Sequence, residues 1–142
     1  MIYITSDHAG FNLKKELALH LDKIGVEYKD LGPNEYIEKD DYPDYAHLMC
    51  KNINIKDKGI IICNNGVGVS IVCNRYNHIR AALSFNKEHA ITSREDDNTN
   101  VLALPAGFIS TTDAKEIVDT WLNTNFSHKE RHLKRIEKIN IK

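Results

Sequence analysis

Residues 59–76 read GIIICNNGVGVSIVCNRY, a short apolar run that stops at a cysteine, two asparagines and a Gly-Val-Gly. The run at 59–62 is too short for a helix, whereas the apolar spacing over 67–74 fits one. Glycines between a strand and a helix allow a tight turn whose backbone amides can face an anionic ligand. The stretch therefore predicts a buried strand, a glycine turn and a helix, which is the repeating unit of an α/β fold.

The same alternation of apolar runs and amphipathic segments continues in both directions. Leu13, Leu17, Leu21 and Ile24 recur at helical spacing, and Gly25 stands where a helix C-cap is expected. Strands are predicted at 2–5, 26–31, 59–62, 79–85 and 100–104, and the later helices at 43–54, 67–74, 87–93, 114–122 and 128–142. This order predicts an α/β domain with a mostly parallel sheet of about five strands and helices on both faces.

The terminal segment 128–142 has only a narrow apolar seam, formed by Leu133, Ile136 and Ile139. A helix with so narrow a seam either packs on another subunit or lies in solvent as a charged terminal helix. The sequence leaves both alternatives open.

The composition fits one globular domain spanning residues 1–142. The chain is 42% hydrophobic and 27% charged, with a formal net charge of -1. A nucleic-acid-binding domain usually carries a strong basic excess, and a membrane span needs about 18 consecutive apolar residues. Since the chain has neither feature and no signal peptide at its start, we expect a cytoplasmic protein that binds neither nucleic acid nor membranes.

The three cysteines, Cys50, Cys63 and Cys73, form no C-x-x-C pair, which argues against a disulfide framework or a thiolate zinc site. Cys63 follows a predicted strand, the place where ligands bind in doubly wound sheets. The adjacent helix N-terminus is expected to lower the pKa of Cys63 and to yield a usable thiolate. The alternative is a small apolar residue that completes a buried strand, an interpretation that fits Cys50 and Cys73 better.

Two further pairs of residues are candidates for binding. Asp7 and His8 follow the first strand, where they would orient a substrate hydroxyl or, in the case of Asp7, cap the next helix. Arg131 and Arg135 are four residues apart and share one helix face, so they could hold a phosphate between two guanidinium groups. A solvated charged face is the alternative for this arginine pair.

Six motifs together give the chain a family resemblance over nearly its whole length. They are SDHAG at 6–10, DYPDYA at 41–46, GIIIC-x-x-G-x-G-x-S at 59–70, NR-x-x-x-IRAAL at 74–83, SR-x-x-x-NTNVLAL at 93–104 and RH-x-x-R at 131–135. The combination resembles ribose-5-phosphate isomerase B and its larger family, which includes the galactose-6-phosphate isomerase subunits. The resemblance implies a Rossmann-like three-layer αβα fold and a homodimer with shared active sites, and it leaves open whether dimers pair into tetramers.

The activity implied by the resemblance is the interconversion of an aldose phosphate and a ketose phosphate, with no metal or other cofactor. In the family's chemistry the cysteine of the glycine loop moves a proton between neighbouring carbons through an enediolate, and Cys63 falls on that position. The loop amides that stabilise the enediolate oxygen fall on Asn64, Asn65, Gly66, Val67 and Gly68. The other implied substrate contacts fall on Asp7, His8, Tyr42, Arg131, His132 and Arg135.

One departure from the family pattern lies in the glycine loop itself. Asn64 and Asn65 replace the glycine and the hydroxyl residue that usually follow the cysteine. An asparagine tolerates the left-handed backbone that a glycine often adopts, and its amide can hydrogen-bond, so we expect the turn to survive.

Two more departures lie near the fifth predicted strand. Asp96-Asp97 replaces a His-Asn pair whose histidine helps to open the furanose ring, so Asp96 is the expected substitute acid and Asp97 a substrate contact. The pair is predicted to lie in a turn, and a plain surface turn is the commoner explanation for two such carboxylates. An arginine expected after the strand is replaced by Pro105-Ala106-Gly107, so phosphate binding would depend more strongly on Arg131 and Arg135.

The combined prediction is a pentose-phosphate-pathway isomerase that interconverts ribose 5-phosphate and ribulose 5-phosphate, with Cys63 as the base. The altered positions 96–97 and 105–107 also allow an isomerase of another pentose phosphate or of a hexose phosphate. A sugar-phosphate-binding protein that has lost catalysis is the alternative from another functional class.

Overall fold

The computed structural model describes residues 1–139, in which five strands alternate with helices. The strands are β1 (Ile2–Ser6), β2 (Tyr28–Asp30), β3 (Lys58–Cys63), β4 (Ala81–Leu83) and β5 (Val101–Pro105). The helices are α1 (Phe11–Lys23), α2 (Tyr42–Asn52), α3 (Val67–Cys73), α4 (Lys87–Asp97), α5 (Thr111–Asn123) and α6 (Glu130–Glu137). The sheet has the order β2-β1-β3-β5-β4, and every strand pair in it is parallel.

The central strand β3 contributes to two cores because successive side chains of a strand point to opposite faces of the sheet. Ile60 and Ile62 belong to a core on one face, which α1, α4 and α5 cover and which buries Trp121 completely. Ile61 and Cys63 belong to the core on the other face, which α2 and α3 cover. The predicted three-layer αβα architecture is confirmed.

The predicted elements are present, but α4 extends further than expected. It continues to Asp97 instead of ending at 93, because the buried Arg94 supports its last turn by donating to the carbonyls of Thr99 and of Thr124. Asn98, in the left-handed conformation with φ 47°, ends the helix. The prediction that Asp96 and Asp97 lie in a turn was therefore wrong, since both lie in the last turn of α4.

The terminal helix α6 begins at Glu130, two residues later than predicted, because His128 has a φ of 54° that a helix does not accommodate. Residues 140–142 of the predicted helix lie outside the described residues. Leu133 and Ile139 of the predicted apolar seam are 42% and 51% exposed, whereas Ile136 is partly buried, so most of the seam is not covered by its own chain. None of the helices within 1–139 combines the length and the apolar character that crossing a bilayer requires.

Candidate active site

The carboxyl ends of β1 and β3 lie side by side, since Ser6 is paired with Ile62. The amide of Asp7 donates to the Ile62 carbonyl at 3.2 Å, which places the Asp7-His8 segment beside Cys63. We call the predicted site residues at this edge of the sheet the carboxyl-edge site. They are Asp7, His8, Tyr42, Cys63, Asn64, Asn65, Gly66, Val67 and Gly68.

The glycine loop wraps around the thiol of Cys63. Gly66 is left-handed, with φ 71°, and its amide donates to Cys63 Sγ at 3.1 Å. Neither Asn64 nor Asn65 has a positive φ, so the left-handed conformation expected of an asparagine is supplied by Gly66 instead. The turn survives the two asparagines because neither of them occupies its left-handed position.

Asn65 provides a side-chain oxygen next to the thiol. Its Oδ1 accepts the Val67 amide at 3.0 Å and lies 4.0 Å from Cys63 Sγ, where it can accept the weak S–H donor. Asn65 therefore supplies the polar neighbour that a hydroxyl residue would supply in the usual family loop. Because the Val67 amide is engaged by Asn65, Gly68 provides the next amide of the first turn of α3.

Burial dominates the electrostatics of Cys63, whose exposed fraction is 4%. Desolvation raises the pKa of this thiol, and the negative charge of Asp7 raises it further, whereas hydrogen bonds from the amides of Gly66 and Val69 lower it. The net pKa is raised, so the expected lowered pKa was wrong, although the amides at the start of α3 do act in the expected direction. The hydration free energy that the thiolate loses on burial exceeds the stabilisation that the amides of the glycine loop and of the first turn of α3 provide.

Asp7 and His8 have different partners. Asp7 Oδ1 accepts the Gly10 amide at 3.0 Å, which fixes the turn leading into α1, and burial raises the pKa of the Asp7 carboxyl. His8 Nδ1 lies 2.6 Å from Asp40 Oδ1, and the same oxygen accepts the His8 amide at 2.9 Å.

Asp40 is a site residue that the sequence interpretation missed, and its only signal is its position before the DYPDYA motif. The ligand atoms of these three residues lie within 4.8 Å of one another, close enough to hold a metal ion.

The loop that carries Asp40 is held at its base. Lys14 is 2% exposed, and its Nζ donates to both carboxylate oxygens of Asp30, at 2.7 and 2.6 Å, and to the Pro33 carbonyl at 3.0 Å. Thr5 Oγ1 donates to the Gly32 carbonyl at 2.7 Å. These bonds fix the path of the chain from β2 towards the carboxyl-edge site.

Tyr42 covers the first turn of α3 from the other side. It is the first residue of α2, and its ring fills the space beside Gly68, where an added Cβ would lie 2.5 Å from Cζ. Tyr42 is 39% exposed and borders the glycine loop, and the substrate contact that the resemblance implies for it stays a prediction.

The segment after β5 is tied to the glycine loop. The amides of Ala106 and Gly107 donate to the carbonyls of Cys63 and Asn64, at 2.9 and 2.8 Å. A Cβ at Gly107 would overlap Asn64 Oδ1, so the Asn64 side chain occupies the space that a larger residue at 107 would need. Beside this segment an apolar cleft of about 400 Å³ is lined by Asn65, Leu83, Phe85, Pro105 and Phe108.

The remaining predicted residues lie at the opposite edge of the sheet, where strands begin. We call them the amino-edge cluster: Asp96, Asp97, Arg131, His132 and Arg135. The carbonyl of Asp97 accepts a hydrogen bond from Arg80, the residue before β4, at 2.9 Å. The buried His132 fixes α6 on α4, with its Nδ1 2.9 Å from Ser127 Oγ, 3.2 Å from the Glu95 carbonyl oxygen and 3.4 Å from Asp96 Oδ1. Arg131 and Arg135 are exposed.

Comparison with known proteins connects this geometry to a family. The sequence profile described as Ribose/Galactose Isomerase matches residues 2–139. The chain belongs to this family. It is 41% identical to the probable ribose-5-phosphate isomerase B of Mycoplasma genitalium over 141 residues, which cover 97% of this chain and 92% of the relative. It is 40% identical to ribose-5-phosphate isomerase B of Escherichia coli over 135 residues, covering 94% and 89%.

Solved structures of the ribose/galactose isomerase family share the fold. The crystal structure of the Mycoplasma genitalium enzyme with bound ribulose-5-phosphate superposes with a TM-score of 0.92 at 41% identity, covering 97% of this chain and 92% of that one. The Thermotoga maritima ribose 5-phosphate isomerase has the same TM-score at 44% identity, covering 97% and 95%. The family resemblance predicted from the motifs is confirmed.

Within this family fold, one chain brings together only part of the predicted site. β5 has five residues, and at 3.3 Å per residue it separates the two edges of the sheet by roughly 16 Å. The carboxyl-edge site and the amino-edge cluster therefore cannot act on the same small sugar phosphate within one chain.

Proposed function

We propose that this protein is a cytoplasmic aldose–ketose isomerase that interconverts ribose 5-phosphate and ribulose 5-phosphate. The observation that carries the proposal is the position of Cys63, whose thiol ends β3 inside a glycine loop and beside Asp7-His8. Membership of the ribose/galactose isomerase family supports it, as does the relative whose structure contains ribulose-5-phosphate. The whole chain, 1–142, acts as one isomerase domain.

The reaction needs only proton transfers. The Cys63 thiolate takes the proton from C2 of the open-chain aldose, and the electron pair forms the C1–C2 double bond and leaves an oxyanion on O1. Amides at the start of α3, with Gly68 among them, stabilise that oxyanion. The proton then returns to C1 while the O2 proton passes to O1, which gives the ketose. No oxidant, reductant or cofactor is consumed.

Phosphate binding is assigned to a second copy of the chain in a homodimer. The distance between the two edges of the sheet prevents Arg131 and Arg135 from reaching a substrate held at Cys63 of the same chain. Both arginines are exposed on α6, next to the uncovered Leu133 and Ile139. Docking of α6 on a partner would cover these side chains and complete the site. Asp96 as ring-opening acid, and Asp97 and His132 as sugar contacts, stay predictions of the resemblance.

A hexose phosphate is the second candidate substrate, and the cleft beside Asn65 is the feature that favours it, since it offers about 400 Å³ next to the loop. Proton NMR of the purified protein with a panel of pentose and hexose phosphates separates the two candidates. We expect ribose 5-phosphate to have the highest kcat/KM. Faster turnover of a six-carbon substrate would overturn the pentose assignment. Binding without any solvent exchange at carbon would overturn the catalytic one.

A further inference from the structure

We propose that Asp40 is a positioning residue that makes His8 the acid–base group for opening the furanose ring of the substrate. The inference rests on the function proposed above, because only a cyclic aldose phosphate needs this step. It assigns a role to Asp40, and it places ring opening at the carboxyl-edge site rather than at Asp96.

The geometry fixes both the orientation and the tautomer of His8. One carboxylate oxygen of Asp40 receives the His8 amide at 2.9 Å and faces ring Nδ1 at 2.6 Å, so backbone and side chain are held by the same atom. A carboxylate accepts only, which places the ring proton on Nδ1 and leaves Nε2 as the free acceptor in the neutral ring. The His8 side chain is 36% exposed, so Nε2 can reach a ligand.

The surroundings of Asp40 keep its carboxyl ionised although the side chain is only 7% exposed. Burial raises the pKa of this carboxyl, but hydrogen bonds from the His8 amide, the His8 ring and the Tyr45 hydroxyl outweigh burial and lower the net pKa. Tyr45 keeps its proton for this bond, since burial and then the hydrogen bond to Asp40 raise the pKa of Tyr45 to about 12. Oδ1 of this buried carboxylate is paired with the amide and the ring of His8, whereas Oδ2 has no hydrogen-bond partner among the described residues.

The charges around His8 make it a stronger base than an ordinary histidine. The hydrogen bond to Asp40 raises the pKa of His8, desolvation opposes this, and the negative charges of Asp7, Asp40 and Glu38 raise it further. Tyr36 contacts the ring edge-on, with centroids 6.4 Å apart, and adds no charge. An imidazole that can both accept and donate a proton is suited to general acid–base catalysis.

His8 also lies on the side of the sheet where the sugar is held. Its segment follows β1, whose last residue pairs with the residue before Cys63. Asp96, the replacement expected from the sequence, lies at the other edge with its side chain 49% exposed and its Oδ1 3.4 Å from His132 Nδ1, so only Asp96 of a second copy could reach the same substrate.

The ring-opening step balances without a co-reactant. Nε2 of His8 accepts the proton of the anomeric hydroxyl O1 as the C1–O1 carbonyl forms. The bond between C1 and ring oxygen O4 breaks, and its electron pair stays on O4. The imidazolium then gives the proton to O4, which leaves the open-chain aldehyde beside Cys63 and His8 neutral again.

The substrates themselves allow ring opening to be measured apart from isomerisation. Ribose 5-phosphate is cyclic, whereas ribulose 5-phosphate is acyclic, since its C5 oxygen carries phosphate and its C4 hydroxyl would close a strained four-membered ring. Conversion of ribose 5-phosphate therefore needs both steps. Deuterium exchange from solvent into C1 of ribulose 5-phosphate needs only the proton transfer by Cys63.

The test is Asp40→Asn in the full chain, with both reactions followed by NMR. We expect the conversion of ribose 5-phosphate to fall about tenfold or more, in the range of lost acid–base catalysis, and exchange into ribulose 5-phosphate to stay within about twofold. Asp44→Asn is the matched control, because it removes an exposed carboxylate from the first turn of α2. We expect this control to leave both rates unchanged. His8→Gln should reproduce the selective loss.

The pH profile gives a second readout. Because Cys63 must also lose its proton, the rate of ribose 5-phosphate conversion is divided by the rate of C1 exchange at each pH. The acid limb of this ratio reports protonation of His8, and it should move to lower pH in Asp40→Asn because the charge that raises the pKa of His8 is gone. An equal loss of both reactions, an unshifted limb, or full activity of His8→Gln would overturn the proposal. So would loss of activity on dialysis against EDTA with recovery on adding a divalent cation, which would make Asp7, His8 and Asp40 a metal site. Failure of the proposed function is distinguishable, since the unmodified chain would then catalyse neither reaction.

Discussion

The two edges of the sheet hold the predicted residues in different ways. At the carboxyl edge, Cys63, Asn65 and His8 are fixed by hydrogen bonds to neighbouring loops of the same chain. At the amino edge, Arg131 and Arg135 extend from a terminal helix that a buried histidine attaches to α4. In the function proposed above, the proton-transfer chemistry lies within one chain, and the exposed arginines bind the phosphate held by a second copy.

The largest effect is expected from removing the base at the carboxyl edge. Cys63→Ala should reduce kcat by about a thousandfold or more, for C1 exchange as well as for conversion, because both require the same proton transfer. Cys50→Ala is the control, since Cys50 is a fully buried packing residue of the α2–α3 layer. Substantial C1 exchange in Cys63→Ala, measured by NMR, would show that another group is the base.

Mixing a variant that binds substrate weakly with a variant that cannot turn it over, at substrate concentrations far below the KM of the first, tests the division of labour between the two edges. Arg131→Ala should raise KM for ribose 5-phosphate, and Cys63→Ala should abolish turnover. After subunit exchange, random pairing gives half heterodimers with one intact site each, so about a quarter of the original activity should return if sites are shared. Steady-state assays of the mixture measure this. No recovery in verified heterodimers would place both residues in one site of one chain.

Because burial raises the pKa of the Cys63 thiol, rates that depend on its thiolate should rise about tenfold for each pH unit below that pKa. Because the thiolate is the base and the pKa of Cys63 is raised, kcat/KM and the rate of alkylation by iodoacetamide should both keep rising above pH about 8.5, the ordinary value for a thiol. Asp7→Asn removes a charge that raises this pKa, so alkylation at a fixed pH should become faster. A plateau of both rates below pH 7 would contradict the raised pKa.

The smallest effect is expected where the glycine loop meets the segment after β5. Gly107→Ala should lower the free energy of unfolding by about 1 to 3 kcal/mol, because the new Cβ displaces the Asn64 side chain. In an Asn64→Gly background the penalty should shrink by about 0.5 kcal/mol or more. Urea denaturation of the four proteins gives the coupling energy. Additive penalties would show that the two positions do not compete for space.

Much of the fold follows from local patterns in the sequence. Short continuous apolar runs and helical spacings predict the strands and helices, and the positions of Asp7, His8 and Cys63 directly after predicted strands identify them as candidate site residues. The cap of α5 is equally local, since Ser110 Oγ accepts the Asp113 amide at 3.0 Å. These features depend on residues close in the chain, or on the rule that parallel strands end at one edge.

Long-range contacts explain what the sequence did not predict. Asp40 reaches His8 across 32 positions, because Lys14 and Asp30 fix the intervening chain. The raised pKa of Cys63 arises from tertiary burial, which a helix N-terminus in the sequence does not reveal. The extension of α4 depends on Arg94 bonding to the carbonyl of Thr124, thirty residues away.

The contact between Asn64 and Gly107 also restricts the order in which substitutions in the glycine loop could have occurred during evolution. An asparagine at 64 in its present orientation is compatible only with a residue that lacks a side chain at 107. In an ancestor with a larger residue at 107, introducing Asn64 first would therefore cause this steric overlap. Introducing Gly107 first would avoid it. The favoured mutational path runs through glycine at 107, and while Asn64 is present a return to a larger residue at 107 costs about 1 to 3 kcal/mol of stability.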